Sequence, residues 1–168
     1  MRIPMAVLFR DLLLIASSVG LLLLSHQLAS AASAWHVPVA LLAGVMLAVT
    51  GYLLHEWGHL LGALFSRSVV HLPDSIATVF LFRFDTGLNT NRQFLWMSIG
   101  GFIASGVVVY IYATQLSLDQ LADQTALVLT ALGVLATIIF EFPPAWRVLR
   151  GGEMPGGVAF VKGVSEEA

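Results

Sequence analysis

"YLLHEWGHLLGALFSRS", residues 52–68, sets two histidines and a glutamate inside a run that otherwise reads as lipid-facing. The apolar stretch it belongs to covers roughly residues 37–66. About 20 such residues cross the hydrocarbon of a bilayer. A charge at the centre of a span costs about 2.5–3.5 kcal/mol on insertion scales, so ionisable groups there have partners or a function. His55, Glu56 and His59 therefore need an explanation that packing alone does not supply.

The rest of the chain agrees with a membrane setting. Its 168 residues are 58% hydrophobic and 11% charged, with mean hydropathy +0.87. A soluble domain carries about 25% charged residues. Three further segments are apolar enough to span, at roughly 11–31, 94–115 and 124–142. The expected fold is an all-α polytopic membrane protein with about four transmembrane helices. The segment at 37–66 is longer than a bilayer needs, so it tilts or projects at one end. Residues 1–150 are expected to form a single membrane-embedded domain. The Gly-rich stretch 151–168 has no apolar period and is expected as a flexible cytoplasmic tail. Residues 1–31 carry a basic start, an apolar stretch and A-x-A sites, so they read either as a first helix or as a signal-like segment.

Charge sets the expected orientation. The eight Lys and Arg fall in three groups: Arg2 and Arg10; Arg67, Arg83 and Arg92; Arg147, Arg150 and Lys162. The connections near 32–36 and 116–123 hold none. The positive-inside rule puts both termini and the 67–93 loop in the cytoplasm. No basic run suits nucleic acid. The absence of cysteine excludes disulfides, thiolate metal sites and cysteine nucleophiles.

His55 and His59 are one helical turn apart on one face, so both imidazoles reach a single ion. Zinc accepts His nitrogen at about 2.0–2.1 Å and in catalytic sites leaves a position for water. Glu56, next to the first histidine, is placed as general base, the H-E-x-x-H arrangement of zinc metalloproteases. The competing reading is a structural polar cluster in a packed bundle. Gly58 and Gly62 form a G-x-x-x-G pair, and "SIGGFIASG" places Ser98, Gly101 and Ser105 at near-helical spacing. Such small faces let membrane helices approach closely.

Three protein ligands are usual for catalytic zinc, so one more is needed. Asp11 lies at a membrane end, Asp119 and Asp123 on the opposite side, and Glu153, Glu166 and Glu167 in the tail. Asp74, Asp85 and His71 lie in the 67–93 loop, and His26 and His36 near the outer surface. Glu141, in "IIFEFPPAW", is six residues from Arg147, at most about 9 Å if helical; His59 is eight from Arg67, about 12 Å. Both lie below the same face, and Pro143 and Pro144 end the helix just after Glu141. Glu141 is the expected third ligand, with His71 the substitute and an ion pair to Arg147 the competing role.

The 67–93 loop is long enough to carry structure of its own. In "ATVFLFRFD", Phe80, Phe82 and Phe84 share one face and Leu81 and Arg83 the other, so a small β-hairpin is expected. A strand edge near the metal would suit an extended peptide; the competing reading is a hairpin that merely caps the bundle.

"HEWGHLLGAL", followed about 40 residues later by "SIGGFIASG", resembles the M50 family of membrane metallopeptidases, the site-2 proteases, and its shorter M50B-like branch in appearance. The resemblance covers roughly residues 50–110. It implies a helical core with a small β element, zinc on His55 and His59, and Glu56 as catalytic base. It implies an intramembrane zinc metallopeptidase of a bacterial inner membrane, with membrane lipid around it and a transmembrane or membrane-proximal protein as substrate. Better-known members carry an Asp-Gly ligand in a late span; this chain has Glu141 before Pro143–Pro144. The middle-span Asn and a PDZ-like domain are absent from this sequence. A non-catalytic membrane module of the same fold is the alternative. A membrane di-iron oxygenase and a prenyl-protein-type zinc protease are more distant rivals.

Overall fold

A computed structural model describes residues 3–73, 78 and 80–163. In chain order the elements are α1 (Met5–Ser30), α2 (His36–Phe65), β1 (Val70–His71), β2 (Arg83–Asp85), α3 (Asn91–Gln115), α4 (Leu121–Phe140), α5 (Phe142–Leu149) and β3 (Phe160–Val161). Four stretches are long and apolar enough to cross a membrane: α1, α2, α3, and Leu121–Leu149, which combines α4 and α5. This is the expected all-α polytopic membrane protein. Along α4, Val128, Leu132, Leu135, Ile138, Ile139 and Phe140 are all more than half exposed. Such a continuous apolar face fits lipid and not water.

The chain forms two compact units. One comprises the chain up to Leu54 with Ser105–Leu135; the other comprises His55–Ala104 with the chain from Ala136 onward.

In the first unit, small residues bring helices together. Ala40, Ala43 and Ala122 are buried in one cluster, and Leu47, Val108, Tyr112 and Ala126 in another. Several polar groups here are matched pairwise, because an unpaired one in hydrocarbon costs several kcal/mol, although the buried Thr130 hydroxyl has no hydrogen-bond partner. Thr50 donates to Ser18 at 2.9 Å, and the Tyr112 hydroxyl donates to the Leu47 carbonyl at 2.7 Å. Asp123, at the start of α4, meets His26 Nε2 at 2.8 Å and accepts from the Ser117 backbone N–H at 2.8 Å. That contact holds the end of α1 beside the start of α4, as alternating spans require.

In the second unit, α2 ends in a left-handed residue, Arg67, at φ 56°. Ser68 N–H bonds back to Ala63 and Arg67 N–H to Leu64, so the last carbonyls are satisfied. The chain then enters a three-stranded sheet in the order β1-β2-β3. β1 and β2 are antiparallel, with Val70 opposite Phe84; β2 and β3 are parallel, with Phe84 opposite Phe160. The expected hairpin is therefore present in shortened form. Among the described residues of the alternating run, Arg83–Asp85 form the strand. Its pattern also breaks at Leu81, which is 4% exposed despite its place on the expected outer face. The Gly-rich tail, in which the sequence marks no element, contributes β3. Composition hides this because a two-residue strand has no readable period.

The sheet is fastened by Asp85, whose side chain is fully buried. Its Oδ1 accepts from Gly87 N–H at 2.9 Å and Leu88 N–H at 3.0 Å, and its Oδ2 meets His71 Nε2 at 2.9 Å. Burial alone pushes this carboxyl up. The His71 hydrogen bond and the two amide donors outweigh it and hold the group below its ordinary value of 3.8. A depressed carboxylate stabilises the fold fully above its unfolded value, and that stability is lost as pH falls through the folded value. Amide exchange at Gly87 and Leu88 is expected to be independent of pH-driven loosening above 3.8 and to accelerate on acidification below it, after correction for intrinsic rates. Asp85→Asn should loosen the sheet at neutral pH, at a cost on the order of 1–2 kcal/mol, kept modest because His71 is half exposed. Unchanged protection in Asp85→Asn would remove this role.

Candidate metal centre

The site lies within the second unit. On α2, His55 and Glu56 are buried at 5% and 9% exposure, and His59 is half-buried beside them. The helix places the two imidazoles one turn apart, and α3 holds them in position. His55 Nδ1 is 3.2 Å from the Gly101 carbonyl oxygen, and His59 Nδ1 is 2.9 Å from the Met97 carbonyl oxygen. A carbonyl only accepts, so each Nδ1 carries a hydrogen, and in the neutral imidazole each Nε2 then presents a lone pair.

Those two Nε2 atoms are 2.9 Å apart. Glu141 straddles them, with Oε1 3.2 Å from His55 Nε2 and Oε2 3.2 Å from His59 Nε2. Three electron-rich groups thus converge on one point. At that spacing they repel unless a proton or a metal ion sits among them. For ligand bonds of about 2.0–2.1 Å, the edge of a tetrahedron is about 3.3 Å. The observed separations are close to that edge, and two imidazoles with a carboxylate are a donor set that zinc accepts. The Nδ1 contacts to backbone carbonyls are the outer-shell bonds that usually orient metal-binding histidines. The residues present fit a metal.

Local structure explains how Glu141 gets there. Pro143 and Pro144 fall in the first turn of α5, where a missing N–H is tolerated. Their missing donors leave the i−4 carbonyls of Ile139 and Phe140 without helical partners, so the helix breaks at Glu141 and restarts at once. The expectation that the prolines end the helix is therefore corrected to a break followed by α5. Glu141 stands between the two segments, facing the histidines and not Arg147.

Room for the imidazoles comes from glycine. A Cβ on Gly101 would overlap the His59 ring, and one on Gly62 would overlap the Trp96 carbonyl. Gly58 and Gly100 approach each other so closely that neither tolerates a side chain. The sequence marked Ser98, Gly101 and Ser105; on α3 the close backbone crossing falls on Gly100, while Gly101 makes room for the ring.

A cavity of about 260 Å³ opens on the site and is lined by Glu56, His59 and Glu141 together with Phe82, Phe84 and Phe160. Glu56 thus shares a space with two of the three converging residues. Its Oε2 accepts from the Leu81 backbone N–H at 3.3 Å, which ties the loop before β2 to the site. His71 pairs with Asp85 and is not part of the cluster. Asp11 pairs with Arg10, and Asp123 with His26. Asp119 is exposed, with Ser117 as partner, and Glu153 is exposed. Asp74, Glu166 and Glu167 lie outside the described residues. Sequence reading missed the Gly101 and Met97 carbonyls, the Leu81 N–H and the tail residues around Phe160. Main-chain groups leave no residue-type signature, so only the extra glycine beside Gly100 hinted at them.

No family model, curated protein or solved structure matches this chain.

The dependence on Gly101 is testable. Gly101→Ala should displace the His59 ring and lower metal content at least about tenfold, since outer-shell changes cost 10–100-fold in affinity. Gly106→Ala, on the same helix with nothing near its Cβ, should bind as wild type. Equal metal content in both variants would show that the ring does not need this space.

Proposed function

We propose that this chain is an intramembrane zinc metallopeptidase, related to the site-2 protease family, that cuts peptide bonds near the cytoplasmic face of a bacterial inner membrane. The observation that carries the reading is the Glu141 carboxylate lying 3.2 Å from both Nε2 atoms, at a site whose cavity also holds Glu56. The H-E-x-x-H order in a membrane helix supports it. The distribution of Lys and Arg supports a cytoplasmic 67–93 loop and cytoplasmic termini.

His55, His59 and Glu141 would hold the ion. Bound zinc supplies a polarised scissile carbonyl and a water whose pKa is near 7. The Glu56 carboxylate takes a proton from the attacking water and delivers it to the leaving amine nitrogen. Leu81 N–H fixes one Glu56 oxygen, which orients the base. The Phe-lined walls exclude bulk water, so charges inside interact more strongly. The apolar lining suits a substrate taken from, or beside, the membrane.

Metal analysis and hydrolysis test this separately. Wild type should carry about one zinc per chain, while His55→Ala, His59→Ala and Glu141→Ala should lose it. Glu56→Gln should keep fold and zinc and lose about 10²–10⁴-fold in cleavage of a labelled membrane-proximal peptide. Full zinc in Glu141→Ala would reject the third ligand. Zinc retention with activity untouched by Glu56→Gln would favour the non-catalytic module of the same fold.

A further inference from the structure

β2 lines the cavity through Phe84, and its main chain is engaged on both sides. β1 takes one edge. On the other, Phe84 N–H donates to the Ala159 carbonyl at 3.0 Å and Thr86 N–H to the Val161 carbonyl at 2.8 Å. The Thr86 hydroxyl also donates to the Val161 carbonyl, at 3.1 Å. The segment making these bonds reaches the cavity itself. Pro155, Gly156, Ala159 and Phe160 line it together with Glu56, His59 and Glu141. Phe160 packs against Phe94, ring centroids 6.0 Å apart. Gly157, at φ 145°, makes the turn that aims Phe160 inward, and Phe160 N–H bonds back to the Gly157 carbonyl.

A segment so placed has the features of a bound peptide. After the turn at Gly157 its end is extended as β3, it pairs through main-chain groups, and it puts an aromatic side chain into an apolar pocket. It is also held lightly. The strand is two residues long, and Ala159, Phe160 and Val161 are all only half-buried. Short, partly exposed elements open at low local cost.

We propose that residues 155–161 are a displaceable strap that closes the cavity, so that an extended polypeptide reaches the site only by replacing β3 on β2. The strap keeps the site shut until a competing chain with an apolar side chain takes its place. Cleavage of the chain that enters rests on the metallopeptidase reading; the strap itself rests on the strand pairing.

The test uses the 168-residue chain in detergent with metal removed by chelator. The probe is a labelled synthetic peptide, PGGVAFVKG, copying residues 155–163. Val161→Pro removes a strand N–H, and Phe160→Gly removes the aromatic anchor. Both should bind the peptide at least about tenfold more tightly than wild type, because closure lowers apparent affinity by the open fraction. Affinity equal to wild type in both variants overturns the strap. Hydrogen exchange on wild type provides a check that needs no variant. The Phe84 and Thr86 amides should exchange through a local opening with weaker denaturant dependence than that of Leu60. Exchange of all three only by global unfolding makes β3 a fixed wall and overturns the proposal. Hydrolysis is then scored with zinc restored. Tighter binding without cleavage leaves the strap and removes the peptidase. Cleavage at equal rates in wild type and Val161→Pro leaves the peptidase and removes the strap.

Discussion

Two helix carbonyls, those of Met97 and Gly101, hold the imidazoles of His59 and His55 by their Nδ1 hydrogens. A carbonyl has two lone pairs, so it can accept a side-chain hydrogen beyond its own helical bond. The geometry demands that an α3 backbone come within reach of α2 side chains. Gly58, Gly62 and Gly100 make that approach possible, and Gly101 leaves space for a ring. The small faces are thus more than a packing device. They bring main-chain acceptors to the histidines, fix the tautomers and turn both Nε2 lone pairs toward Glu141.

The converging groups also account for the polar content of an apolar helix. Alone, each would be costly in a span. With both imidazoles neutral they offset one another only when a positive charge, a shared proton or a metal ion, lies between them. A purely structural cluster would place a donor against each acceptor, as Thr50 does with Ser18 and Asp123 with His26 and Ser117. The contrast between those matched pairs and the acceptor-rich centre is the physical basis for the metal proposal.

The sheet gives the site its second wall. Leu81 N–H reaches Glu56, the phenylalanines around β2 line the cavity, and Asp85 fastens the turn beyond. Local turn chemistry, a buried carboxylate accepting two amides, therefore stabilises the element that shapes the cavity. The strap proposal extends this logic to the C-terminal segment, which completes the sheet with two hydrogen bonds from β2 and the residue after it.

The sequence by itself determined the spans, because hydrocarbon thickness sets a length that composition reveals directly. It also determined the pairing of His55 with His59, because helical periodicity fixes which side chains share a face. Glu141 was legible only by elimination, aided by the two prolines that break the helix beside it. Tertiary structure alone decided which carbonyls hold the rings, that Leu81 meets Glu56, and that Phe160–Val161 joins the sheet. Those contacts are made by main-chain atoms that every residue carries, between segments far apart in sequence. Their positions depend on how closely the helices pack and where a short strand finds an edge, and neither leaves a periodic trace in the chain.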